Sequence, residues 1–271
     1  MKKRYLWVPV LTAGLVAAPV AFSAPPATPG PGLLGTAHDF TAAGGGHLPY
    51  KAGTALNGDG LPINDVGLCT YCHTPHHGTT TRLLWNHKLS ANTFSWDVPS
   101  TTAGTTLPSF SGQTYNGVSA KCLSCHDGSV AIGDVFWYEE TGPLTLEPTK
   151  MGQSPSDPIF RIASTTGSLA TNHPVAVPYP FGNAPNTYNT ATTGSNAYLD
   201  EWQPDPTALG IRLFNDDGSG NITAGPVAGK TGIECSSCHD PHNKQAVDDM
   251  FLRGSLAGND TNYICLKCHV K

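Results

Sequence analysis

Charge is scarce in this chain. Asp, Glu, Lys and Arg make up 13% of 271 residues, and 20 acids outnumber 15 Lys and Arg. A basic surface of the nucleic-acid-binding kind is therefore excluded. Long apolar periodic segments are also missing. No stretch beyond the N-terminal run is apolar enough to span a bilayer, and none sustains the helical or strand periodicity of an ordinary core. Methionine is almost lacking, with only Met151 and Met250 beyond the first residue, so methionine has little scope as a metal ligand. Gly (30) and Pro (23) are plentiful instead. No cysteine is left over once the motifs are counted, so no thiol remains for a separate disulfide framework or redox site.

All eight cysteines fall in four Cys-x-x-Cys-His motifs: Cys69-Thr-Tyr-Cys72-His73, Cys122-Leu-Ser-Cys125-His126, Cys235-Ser-Ser-Cys238-His239 and Cys265-Leu-Lys-Cys268-His269. The spacing suits c-type haem. Two thiols add across the two vinyl groups of one haem, and the adjacent histidine reaches back to the iron. Zinc sites and disulfides also use paired cysteines, but neither requires a histidine after every pair. With 11 His in 271 residues, four such histidines by accident have odds on the order of a few in a million. The motifs thus imply four covalent haem c groups, with His73, His126, His239 and His269 as proximal iron ligands.

The N-terminus reads as a signal peptide over residues 1–23. Lys2, Lys3 and Arg4 precede an apolar run from Tyr5 to Phe22, and Ala21-Phe22-Ser23 fits a small-x-small cleavage site. An uncleaved anchor is the alternative; a lipoprotein anchor is not available, because no cysteine lies near the site. Cleavage removes three positive charges and no acids, which takes the formal net charge from -5 to -8. The expected location is secreted, at the cell surface, outside the cell or in the periplasm, and export fits haem attachment outside the cytoplasm.

The chain contains a repeat. Cys72-His73-Thr74-Pro75-His76 matches Cys238-His239-Asp240-Pro241-His242, and Cys122-Leu123 matches Cys265-Leu266. A further histidine precedes each half, His38 in one and His173 in the other. The reading is one tetrahaem domain over 24–271, made of two two-haem modules at about 24–150 and 160–271. His38, His76, His173 and His242 supply four distal candidates for four irons, which closes every site as bis-histidine. His76 cannot easily reach the iron held by His73, because three residues span at most about 10 Å and Pro75 stiffens the path. A neighbouring haem, or the haem of another subunit, is its natural target. His47, His77 and His87 are left as surface or supporting residues, with a ligand role still open for His87.

The expected fold is mostly irregular and haem-organised, a multihaem cytochrome c with short α-helices at the motifs and a few β-hairpins. Pro75 and Pro241 should end the helices before them. Residues 213–222 read as a hairpin turn. Its acidic tip lacks the full calcium-loop pattern, and a plain turn is the preferred reading.

These motifs, with His38-Asp39-Phe40, Leu84-Trp85-Asn86, Asp127-Gly128, His173-Pro174-Val175 and Phe251-Leu252-Arg253, resemble the tetrahaem extracellular cytochromes of the OmcE type. Some relatives in that group polymerise into filaments. The resemblance implies closely stacked bis-histidine haems, one of which takes its distal ligand from the next subunit. In the filament proteins the histidine after the first haem motif makes that bridge, and here the position is His76. His87 stands where Arg is often found, so the resemblance gives it no ligand role. The expected function is electron transfer without catalysis, with other redox proteins or extracellular acceptors as partners, a possible head-to-tail homopolymer, and no nucleic acid. A reductase of nitrogen or sulfur oxyanions and a membrane-anchored quinol dehydrogenase are the alternatives.

Overall fold

Each Cys-x-x-Cys-His segment closes as a helical turn. The amide of the histidine donates to the carbonyl of the first cysteine at 2.7 Å for His73, 3.0 Å for His239 and 2.9 Å for His269. The second motif lies inside helix α1, Val118–His126. One such turn brings both cysteines and the histidine to the same side of the backbone. The computed structural model describes residues 30, 32–40, 68–78, 83–95, 117–137, 144–146, 148–153, 160–163, 166–169, 172–184, 199–219, 221–248, 250–258 and 262–270. Residues 1–23, which read as a signal peptide, and His47 lie outside them.

Helix α1 ends at Asp127-Gly128, where the chain turns left-handed. Gly128 has φ +71°, and a Cβ there would lie 2.6 Å from the Met151 carbonyl, so this position requires glycine. Asp127 is fully buried. Its carboxylate is satisfied by the Ser90 hydroxyl, by Asn92 at 2.9 Å and by the Ser129 amide at 2.8 Å. Helix α2, Cys235–Cys238, carries the third motif and stops at His239, which has extended backbone, two residues before Pro241. A 3-10 helix, Ile264–Lys267, carries the start of the fourth motif. Among the described residues, no helix is long and apolar enough to cross a membrane.

The strands are short. β1 (Asp134–Val135) pairs antiparallel with β2 (Leu144–Thr145). β3 (Val177–Pro178), β4 (Phe214–Asp216), β5 (Ile222–Ala224) and β6 (Thr231–Ile233) form an antiparallel sheet in the order β3-β6-β4-β5. Val177 stands opposite Ile233, and Phe214 stands between Gly232 and Ala224. β4 and β5 are the hairpin read from residues 213–222. The Asp217 carboxylate at its tip accepts from Ser219 and Asn221, which holds it below the usual carboxylate range. The acidic tip is thus engaged with its own turn.

Apolar packing gathers in small clusters. Leu123 of α1 meets Leu169, Ala176, Phe214 and Ile222, so the second motif rests on the sheet. Tyr179, Ile211, Leu213 and Ile233 form another cluster, against which Trp202 and Ile264 pack beside the fourth motif.

Helices α1 and α2 cap each other. Glu234, fully buried, accepts from the Ser119 amide at 2.9 Å, and the Ser119 hydroxyl accepts from the Cys235 amide at 2.9 Å. The carboxylate thus satisfies an orphan donor at the α1 N-terminus, and the serine does the same for α2. Ser119→Ala should destabilise the protein by about 0.5–2 kcal/mol, seen as a lower denaturation midpoint. An unchanged midpoint would show that the cap contributes nothing.

Candidate haem-binding sites

The two Cys-His-x-Pro-His segments share one backbone design. Each proximal histidine returns to a downstream segment through an isolated bridge, His73 to Trp85 and His239 to Leu252. Thr74 N–H donates to Leu84 and Asp240 N–H to Phe251, at 2.9 and 2.7 Å, while Asn86 N–H donates to Cys72 and Arg253 N–H to Cys238, at 2.9 and 2.8 Å. The downstream segments are left-handed in both halves: φ is 62° and 47° at Leu83 and Leu84, and 58° and 59° at Met250 and Phe251. His77 and Asn243, each next to a distal candidate, are left-handed too, at 57° and 53°.

That geometry aims a carbonyl at each proximal imidazole. Nδ1 of His73 meets the Leu83 carbonyl at 2.6 Å, and Nδ1 of His239 meets that of Met250 at 2.7 Å. His126 finds the same partner in the Phe160 carbonyl, at 2.7 Å. A histidine whose Nδ1–H is given to a carbonyl has its tautomer and ring orientation fixed and presents Nε2 as a metal ligand. A cleft of about 420 Å³, lined by Cys69, Thr70, His73, Thr74, Pro75, Leu83 and Leu84, opens at the first motif. The residues present therefore fit a covalently attached haem on chemical and geometric grounds.

Two distal candidates lie near the histidines of other motifs. The His242 ring centroid is 6.1 Å from that of His73, and the His38 centroid is 6.2 Å from that of His126. Two imidazoles on opposite sides of one metal, each bonded at about 2 Å, have centroids roughly 6 Å apart. Burial, with repulsion from His126, pushes the His38 imidazole down to about 4, which leaves it in the neutral form that binds metal. Phe251 stacks on His38 at 4.8 Å.

The other two candidates sit differently. His76 and His173 are exposed, and among the described residues neither makes a ring contact with a proximal histidine. Nδ1 of His173 lies 2.9 Å from the Pro174 carbonyl. The His269 ring packs against Trp202, centroids 4.6 Å apart. His77 stacks on Trp137 at 4.1 Å, as a surface residue. His87 is 1% exposed, with Nε2 at 3.0 Å from the Ala131 carbonyl and 3.4 Å from the Cys125 sulfur. It is buried behind the second motif, and its burial lowers its pKa.

The cysteines of successive motifs approach one another. Burial pushes the Cys72 thiol up to about 12, with Cys125 of the second motif adding to the shift. A hydrogen bond with Cys122 raises Cys235 well above the thiol range. Burial raises Cys238 to about 11, with contributions from Cys235 and from Cys265 of the fourth motif. The second and third motifs thus meet at Cys122 and Cys235.

Sequence reasoning gave no role to Phe251, Trp202, Asp240 or Arg253. The repeat offered a signal for two of them, since superposing the halves sets Leu84-Trp85-Asn86 on Phe251-Leu252-Arg253.

Residues 225–271 match the family model of the doubled CXXCH motif. No curated protein matches the chain significantly. Doubled CXXCH segments are the attachment pattern of covalently bound haem c, and the match over residues 225–271 supports a multihaem c-type cytochrome.

Proposed function

We propose that this protein is an electron-transfer cytochrome of four bis-histidine haems, exported from the cell and related to the filament-forming cytochromes of the OmcE type. The observation that carries the reading is the spacing of the imidazole pairs, 6.1 Å for His73 with His242 and 6.2 Å for His38 with His126. An iron held on both faces has no position for a substrate, which suits electron transfer over reduction of a bound oxyanion. Haem iron, when bound, supplies a centre that cycles by one electron. The chain's own residues hold the rings, fix the tautomers and bring the attachment points of successive motifs together. The second and third motifs are held side by side, since helices α1 and α2 bond through Ser119 and Glu234, which supports a short step between their haems.

The mature protein should carry four covalent haems, read as four haem masses added to the apoprotein. Fewer than four in fully matured protein would overturn the count. The ferric protein should be low-spin throughout by electron paramagnetic resonance once assembled. A persistent high-spin haem that binds nitrite or hydroxylamine would favour the reductase.

His76 supports the assembly reading. It is exposed, and its backbone is held by the Thr74 hydroxyl, with the His76 amide donating at 3.4 Å and the His76 carbonyl accepting at 2.7 Å. Donation of this imidazole to the next copy is a head-to-tail contact, and such contacts propagate as open filaments unless their rotation closes. His76→Ala should keep four covalent haems, turn one high-spin and shorten or abolish filaments in electron micrographs. Normal filaments with every haem low-spin would overturn the bridge.

A further inference from the structure

We infer that the Asp240–Gln245 turn, locked by Arg253, positions the distal ligands of two haems attached at other motifs: His242 for the iron held by His73, and His38 for the iron held by His126. The inference rests on the haem reading and goes beyond it. It assigns the pairs and names the device that sets them.

Asp240 is 3% exposed and Arg253 is 2% exposed. The carboxylate of Asp240 accepts from the His242 amide at 3.3 Å, the Lys244 amide at 2.8 Å and the Gln245 amide at 2.5 Å. Arg253 Nη2 lies 3.5 Å from the same carboxylate. Arg253 also donates through Nε to the Ser236 carbonyl at 3.2 Å and through Nη1 to Gln245 Oε1 at 2.5 Å. One carboxylate therefore fixes the path of the backbone on both sides of His242. The guanidinium fastens the turn to helix α2, which holds the third haem's cysteines.

The same turn reaches the N-terminal segment. Asn243 is fully buried; its side chain donates to the Gly32 carbonyl at 3.0 Å, and its carbonyl accepts from the Gly32 amide at 3.2 Å. The Pro241 carbonyl faces His38 Nδ1 at 3.4 Å. His38 is thus carried to His126 by a segment clipped to the turn.

The equivalent turn of the first half lacks these parts. Thr74 stands where Asp240 does, and Asn86 stands where Arg253 does. Asn86 donates to the carbonyls of Thr70 and Trp137, away from its turn. The turn held by the Asp240 carboxylate presents His242 to another motif of the same chain, and the turn held only by the neutral Thr74 hydroxyl leaves His76 exposed.

The test uses the full-length holoprotein. His242→Ala should create one high-spin ferric haem. In a Cys69→Ala/Cys72→Ala background, which lacks the first haem, the same change should add no high-spin signal. His38→Ala should behave likewise, alone and in a Cys122→Ala/Cys125→Ala background. An added high-spin haem in either combined variant overturns that pairing. Asp240→Asn should render part of both haems high-spin, with low-spin character restored by added imidazole, while Arg253→Lys, which keeps the charge, should retain most of it. A lowered denaturation midpoint with every haem low-spin would mean that the turn is merely structural and would overturn the positioning role. Should Asp240→Asn fail to mature, Asn243→Ala decides instead: the signal is expected at the His38-ligated haem alone, and its absence overturns the role. Failure of the underlying haem reading looks different, since wild-type protein would then give no covalent haem in a pyridine haemochromogen assay.

Discussion

The structure at three of the four motifs depends on one constraint, that the histidine after the second cysteine is held through its Nδ1. The backbone carbonyls of Leu83, Phe160 and Met250 do this for His73, His126 and His239. Two of the three come from left-handed residues that are not glycine. A left-handed Leu or Met costs energy, and the surrounding bonds to Cys72, Leu84, Cys238 and Phe251 keep the chain in that conformation.

The two halves reuse this frame and then diverge at two positions. The frame delivers a cysteine pair, a proximal histidine and a left-handed turn carrying a second histidine. A buried acid and its guanidinium direct one of those second histidines inward. Thr74 and Asn86 have no such charge pair, and the homologous histidine is left at the surface. A buried ion pair is weak evidence of stability, because desolvation offsets much of its attraction; its use here is to select one geometry of a loop-rich segment.

The chemistry was legible because it is local. Cys-x-x-Cys-His is a five-residue pattern whose chemistry dictates one helical turn, and the 213–222 hairpin was read from adjacent turn residues. The carbonyl partners were not legible, since every residue has a carbonyl and nothing in Leu83, Phe160 or Met250 marks theirs as an acceptor. Nor did the sequence reveal that Ser119 and Glu234 meet, or that His87 is buried while His77 is exposed. Those outcomes depend on contacts between segments far apart in the chain. His38 and His242 were identified as ligand candidates from the repeat, but their approach to His126 and His73 is a tertiary property.

The reciprocal cap has a consequence for how the protein is made. Ser119 and Glu234 are 115 residues apart, so the α1 segment is synthesised well before the carboxylate that completes it. A helix of nine residues is marginal on its own in water. The helix of the second motif therefore lacks the carboxylate that caps it until the third motif has been made.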